Sequence, residues 1–130
     1  FLSDYTHHPE EIKQSILSMR ALYEEKKITG IFQPHLFTRT RDFYKEFAES
    51  LSLLDEVILT EIYPARELPI KGISSRLIYD HLRPGIEKTL CNKEEILEIL
   101  KQKDIEVLIT LGAGDIENYV QPICEILNKQ

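Results

Sequence analysis

Apolar residues recur along this chain in two alternating patterns. Ile12, Ile16, Met19 and Tyr23 are spaced by four, three and four, the spacing of one helix face. Pro9 suits the first turn of that helix, and Glu10 and Glu11 lie where acids favour the positive end of its dipole. Lys26-Lys27 suit its negative end. Residues 28–33 then read as a short strand stopped by Pro34. Thr38 or Thr40 can cap a second helix, with Phe43, Phe47 and Leu51 on its inner face and Leu54 following. The β-branched, mostly apolar run 57–62 predicts a strand buried on both faces. Pro64, Pro69 and Gly72 make 63–72 a loop.

The second half repeats the alternation. Ser74 or Ser75 caps a third, shorter helix through Leu77, Ile78 and Leu82, ended by Pro84-Gly85. Residues 88–91 form a weak strand pattern. Asn92 followed by Glu95 resembles a capping box ahead of Ile96, Leu97, Ile99 and Leu100. Residues 106–111 predict another buried strand, with Gly112-Ala113-Gly114 as its turn. Asp115 can open a last helix, which Pro122 either kinks or delays until near Tyr119. Residues 1–4 read as the tail of a first strand. Such alternation with short connections predicts an α/β domain, a mostly parallel sheet covered by helices on both faces.

Ligands of open parallel sheets sit outside the carboxyl ends of the strands. Segments 4–8, 33–41 and 63–72 should lie there, and they are also the polar, aromatic and proline-rich stretches. Composition narrows the partners. At 130 residues the chain is a single domain, 1–130, against roughly 150 residues per domain. It carries 16 Lys+Arg against 22 Asp+Glu, a net charge of −6, with no long basic stripe. Nucleic acid is therefore a poor partner. No apolar run approaches the roughly 20 residues of a membrane span. Cys91 and Cys124 have neither CxxC spacing nor nearby His pairs, and read as reduced core thiols. The first residue is Phe, not Met, as in an excised piece of a longer chain. Charge arrives by Asp4, unlike a secretory leader, so the expected compartment is the cytoplasm.

Four strings carry candidate chemistry. Asp4-Tyr5-Thr6-His7-His8-Pro9 places a carboxylate, a phenol and two imidazoles between a strand and a helix start. Asp4 can accept two ribose hydroxyls, and a neutral His can hold an amine or oxyanion or move a proton. The plainer reading is a capped turn with solvated histidines. A metal site is disfavoured, because adjacent His side chains of extended backbone point apart and no third ligand is near. In residues 33–41, His35 and Arg39 precede or open a helix, whose N-terminus itself attracts anions. Arg41 more simply pairs with Asp42. Gly112-Ala113-Gly114 lacks the third glycine of a dinucleotide fingerprint, since position 117 is Glu. Tyr63-Pro64-Ala65-Arg66-Glu67 carries one charge of each sign. No phosphate loop of the G-x-x-x-x-G-K-[ST] type occurs. No catalytic residue is evident.

Those strings, with Phe32-Gln33-Pro34-His35, Thr38-Arg39-Thr40-Arg41 and Pro69-Ile70, stand in one order along essentially the whole chain. In that order they resemble the C-terminal domain of the Mur ligases, specifically the branch that joins L-alanine to UDP-N-acetylmuramate. The resemblance implies a Rossmann-like three-layer α/β/α fold. It implies two further domains absent from this chain, an N-terminal one for UDP and a central one for ATP phosphates and magnesium. ATP and magnesium would serve the full-length enzyme, with neither held tightly by this domain alone. An acyl phosphate would be attacked by the amine of L-alanine, in cytoplasmic peptidoglycan precursor synthesis. Carried over by position, Asp4 would contact the ATP ribose, Tyr5 and His7 would border the amino-acid pocket, and His35 and Arg39 would face the alanine carboxylate. Two positions depart from the pattern. Leu36 stands where an Arg is frequent, so Arg39 alone, or with Arg41 or Arg66, carries the carboxylate. Ser3 stands where a second Asp is frequent. Alternatives are a ligase attaching recycled murein peptide to the same sugar nucleotide, and a free-standing anion- or nucleotide-binding module.

Overall fold

The computed structural model describes residues 2–4, 8–64, 66–103 and 105–112. Five strands in these residues form one parallel sheet: β1 (Leu2–Asp4), β2 (Ile28–Gln33), β3 (Glu56–Leu59), β4 (Glu87–Leu90) and β5 (Val107–Gly112). Their order is β1-β5-β2-β3-β4. The connecting helices are α1 (Pro9–Leu22), α2 (Phe37–Leu51), α3 (Arg76–Asp80) and α4 (Ile96–Lys101), the last preceded by a 3-10 turn at Lys93–Glu95. From β1 to β4 the chain steps one way across the sheet, then reverses to insert β5 between β1 and β2. Right-handed crossovers then require α1, α2 and α3 on one face and α4 on the other. The core divides that way. Ile12, Ile16, Phe47, Leu51 and Ile78 pack with Phe32 and Leu59 on one side, and Ile96 and Leu100 pack with Ile31, Ile58 and Leu108 on the other. The expected three-layer α/β/α architecture is present.

Several boundaries differ from the sequence expectation, each for a physical reason. The strand expected over 57–62 ends at Leu59. Thr60 N–H still donates to the Phe32 carbonyl, but the next donor due across the ladder is residue 34, a proline without an N–H. The Thr60 carbonyl is taken instead by the Ser75 hydroxyl. Helix α2 begins at Phe37 after Leu36, so neither Thr38 nor Thr40 is its cap. Tyr23 and Phe43, expected on inner faces, are 40% and 37% exposed. Helix α3 starts after Ser75 as expected but ends before Leu82. The Glu95 half of the capping box forms, its Oε1 accepting from Asn92 N–H at 3.0 Å. The turn at 112–114, the helix expected after Asp115 and Cys124 lie outside the described residues, apart from Gly112, which closes β5.

The amino-terminal edge of the sheet engages four of the chain's 16 lysines and arginines. Arg20 donates to the Leu53 carbonyl and to Asp55 (2.9 Å), whose Oδ2 also accepts from Ile28 N–H. Arg83 donates to the carbonyls of Ser52 and Leu54. Glu56, 2% exposed, is held by Lys103 at 2.6 Å and Lys27 at 3.5 Å. These contacts close the side of the domain opposite the carboxyl-end loops.

Two predictions follow from this packing. A Cβ at Gly30 would overlap Leu54 Cδ1, and Leu54 is fully buried. Gly30→Ala should therefore cost about 1–3 kcal/mol in urea unfolding, with a less than additive effect beside Leu54→Ala. An unchanged midpoint would mean that Leu54 moves freely. Burial alone would raise the Asp55 pKa, but hydrogen bonds from Arg20 and Ile28 N–H, with the charges of Arg20 and Arg83, bring it below its ordinary 3.8. A depressed folded value means that stability is complete above 3.8 and is lost as pH falls through the folded value. Asp55→Asn should be less stable than the parent at neutral pH, and the gap should narrow in acid-unfolding curves below that point. A constant gap across pH would refute the ion-pair role.

Candidate active-site edge at the carboxyl ends of the strands

The parallel register sets the carboxyl ends of β1, β5, β2 and β3 side by side, with Asp4 opposite Leu111 and Phe32 opposite both Leu111 and Leu59. Asp4 thus ends β1 at the edge where ligands of such sheets bind. Tyr5 and His7 lie outside the described residues. His8 is a structural group: its Nδ1 accepts from Glu10 N–H at 3.1 Å and caps α1, while its ring contacts Phe43 at 6.0 Å. The Ser50 hydroxyl donates to the Pro9 carbonyl (2.9 Å) and pins the same helix start against α2.

The loops after β2 and β3 are zipped together beyond their strands. His35 and Tyr63 form an isolated parallel bridge, with Leu36 N–H donating to the Tyr63 carbonyl and Tyr63 N–H donating to the Pro34 carbonyl, both at 2.8 Å. The His35 and Tyr63 rings stack at 5.7 Å with an 18° interplanar angle. This pairing drives Leu36 to φ 71°, a conformation unusual for a residue with a branched side chain. Such a conformer costs about 1–3 kcal/mol and persists only where its surroundings hold it. Besides the bond at its N–H, Leu36 accepts at its carbonyl from Thr40 N–H (3.2 Å) and the Thr40 hydroxyl (3.0 Å).

Glu67 completes the arrangement. Its Oε1 accepts from Phe37 N–H (2.6 Å) and Thr38 N–H (3.2 Å), and its Oε2 accepts from the Thr38 hydroxyl (2.6 Å). The hydroxyl bond from Thr38 lowers its pKa most; burial opposes, and the two N–H groups and the charge of Arg41 lower it further, leaving it below the ordinary carboxylate value. This corrects the expectation that the α2 N-terminus awaits a ligand anion. An internal carboxylate from the neighbouring loop already takes its first N–H groups. Sequence reasoning passed over Glu67, although the string Tyr63 to Glu67 had singled out its loop.

Cations are sorted with equal clarity. Arg41 Nε donates to Asp42 at 3.0 Å on an exposed surface, so the plainer reading of that residue holds. Arg66 is exposed. Arg39, in the first turn of α2, is partly buried, and its Nη1 is buried with no hydrogen-bond acceptor among the described residues. A guanidinium presents donors in a planar fork suited to a carboxylate or phosphate, and a buried donor without an acceptor is costly. Among the described residues Arg39 Nη1 is thus a buried cationic donor without an acceptor, one helical turn beyond the His35 imidazole.

Beside it lies a groove of about 520 Å³ over the ends of β3 and β4, lined by Phe37, Ile62, Ser75, Arg76, Cys91 and Glu95 among others. Burial first, then the charges of Glu95 and Glu61, pushes the Cys91 thiol up to about 11. It is a free thiol, as the sequence suggested, but half-buried in the groove lining rather than fully inside the core. Among the described residues no group of three His, Cys, Asp or Glu could hold a metal ion, and no helix is long and apolar enough to cross a membrane.

Comparison with known proteins places this geometry. The UDP-N-acetylmuramate–L-alanine ligase of Phocaeicola vulgatus is 77% identical over 130 residues, all of this chain and 28% of that protein. The ligase of the same name from Porphyromonas gingivalis is 52% identical over 127 residues, again 28% of its length. The chain thus spans little more than a quarter of these relatives. The crystal structure of UDP-N-acetylmuramate–alanine ligase from Thermotoga maritima matches 97% of this chain and 26% of its own, with a TM-score of 0.74 and 29% identity. A murein peptide ligase from Psychrobacter arcticus, at 15% identity and a TM-score of 0.75 over 98% of this chain and 27% of its own, shares the fold. The family model described as "Mur ligase, glutamate ligase domain" matches residues 1–115, and the chain belongs to that family.

Proposed function

We propose that this chain is the third domain of an ATP-dependent ligase that joins L-alanine to UDP-N-acetylmuramate, and that its carboxyl edge receives the amino acid. The carrying observation is the buried Nη1 of Arg39, a cationic donor without an acceptor among the described residues, in a helix turn clamped by the neighbouring loop. A carboxylate supplied by the amino acid would relieve that cost and fix the orientation of its amine. The names of the relatives support alanine as that amino acid. His35, stacked on Tyr63, would border the same carboxylate and the carbon that the amine attacks. Tyr5 and His7 would form the pocket's other wall, and Asp4 would accept the hydroxyls of the ATP ribose. ATP supplies the activation of the sugar's carboxylate, and the reading assigns its phosphates and magnesium to the central domain. This chain's contribution is positional. Closing over the other domains would set the amine against the activated carbonyl and exclude water. The reading places the reaction in cytoplasmic peptidoglycan precursor synthesis.

Steady-state kinetics of the full-length ligase test this. Losing a charge-assisted hydrogen bond costs about 1.5–3 kcal/mol, so Arg39→Ala should raise the KM for L-alanine by about 10- to 100-fold. The KM for ATP should stay nearly constant. Asp4→Ala should do the reverse. Equal effects on both substrates in either variant would remove the assignment. Retained formation of the amide by this chain alone, without the other domains, would remove the division of labour.

A further inference from the structure

The loop that carries His35 and Arg39 has no side-chain cap of its own. The helix that follows is preceded at its N-cap by Leu36, whose side chain cannot accept a hydrogen bond. The first N–H groups of α2 are satisfied from 30 residues away, by one carboxylate on a different βα loop. A helix N-terminus with free N–H groups is an anion site open to any carboxylate or phosphate. Here Glu67 occupies it from inside the protein, and the free donor is the next residue along, Arg39. Two groups suited to an anion therefore lie within one helical turn, and among the described residues the helix N-terminus is filled while Arg39 Nη1 has no acceptor.

We propose that Glu67 is a positioning residue for the amino-acid substrate: it fills the α2 N-terminus as an internal anion, fixes the loop from His35 to Arg39, and leaves the Arg39 guanidinium as the single receptor for the substrate carboxylate. This rests on the assignment of Arg39 above. Two observations extend it beyond a helix cap. Glu67 binds both the backbone N–H and the hydroxyl of Thr38, so the residue before Arg39 is held at two atoms, and the residue before that at one, the Phe37 N–H. The loop of Glu67 is also the strand-like partner of the His35 segment through Tyr63. Without the carboxylate, the freed N–H groups compete with Arg39 for the same carboxylate. An amino acid bound there has its amine displaced from the attack line. Displacements of about 1 Å are enough to cost about 100-fold in rate.

The experiment uses the full-length ligase with Glu67→Ala, Glu67→Gln and Glu67→Asp, each read beside Arg39→Ala. Glu67→Ala should lower kcat/KM for L-alanine by about tenfold or more while the KM for ATP stays within about twofold. Glu67→Gln keeps an oxygen for both N–H groups and an amide for the Thr38 hydroxyl, and should restore kcat/KM to within about threefold of the parent. Sodium formate, a carboxylate small enough for the vacated place, should restore part of the loss in Glu67→Ala and none in Arg39→Ala. Glu67→Asp draws the charge back by one methylene and should fall between the Gln and Ala variants, so it carries the test if the Ala variant does not fold. The inference is overturned if Arg39→Ala raises the alanine KM while neither Glu67→Ala nor Glu67→Asp changes kcat/KM for alanine. It is equally overturned if Glu67→Ala weakens ATP and alanine alike with no response to formate. If Arg39→Ala itself leaves the alanine KM unchanged, the assignment of the site fails first, and this inference with it.

Discussion

Three hydrogen bonds converge on the carboxylate of Glu67, and through them the loop after β3 sets the first turn of α2. The shape of the carboxyl edge depends on that clasp. It satisfies backbone groups that a helix start must otherwise leave to water or to a local cap. It also answers for Leu36, which sits at φ 71° just ahead of the helix with its N–H and carbonyl both bonded. A strained residue persists only when its neighbours over-determine it. Here the neighbours are the Tyr63 carbonyl on one side and the Thr40 group on the other, and Glu67 holds the turn between them. The stack of His35 on Tyr63 follows from the same zipper, since the two residues are paired backbone to backbone before their rings meet.

The rest of the fold explains why this edge is the one left open. Among the described residues, the reversal of the chain after β4 puts α4 on one face and α1, α2 and α3 on the other, so both faces of the sheet are covered. The amino-terminal edge is closed by charge. Arg20 and Arg83 cover carbonyls of the turn that follows α2, and two lysines hold the buried Glu56. In a chain of net charge −6, bases used this way are withdrawn from ligand binding. The contrast gives Arg39 its meaning. Its buried Nη1 finds no acceptor among the described residues, although acids outnumber bases in the chain.

The sequence displayed the repeating parts of this arrangement and concealed the contacts between them. The limits 28–33 for β2 and the buried trio Ile12, Ile16 and Met19 follow from periodicity, because burial on a regular element repeats with its geometry. The placing of segments 4–8, 33–41 and 63–72 at one edge follows from parallel connectivity alone. Starts and stops set by another element were hidden. The end of β3 is decided by Pro34 just past the neighbouring strand, and the start of α2 by Glu67 on a neighbouring loop. Thr38 has the right chemistry for a cap, yet it stands inside the helix and lends its hydroxyl to the residue that does the capping. Motif order reached the family where local chemistry could reach only an anion site. What it could not supply was the partner of each side chain.

That difference bears on how the edge would choose its anion under the proposed function. A nucleotide and an amino acid both present negative oxygens, and a free helix N-terminus discriminates poorly between phosphate and carboxylate. Filling it with Glu67 turns the attraction into repulsion at that spot, for phosphate more than for a singly charged carboxylate. A guanidinium remains, whose planar fork matches two coplanar oxygens. Selectivity would then come as much from the receptor that is occupied as from the one that is free, which is how discrimination between similar charges is commonly built. The position of Leu36 fits the same logic. An apolar residue there adds no second cation to compete for the substrate, so under that reading the Arg39 guanidinium would fix the carboxylate and with it the direction of the amine.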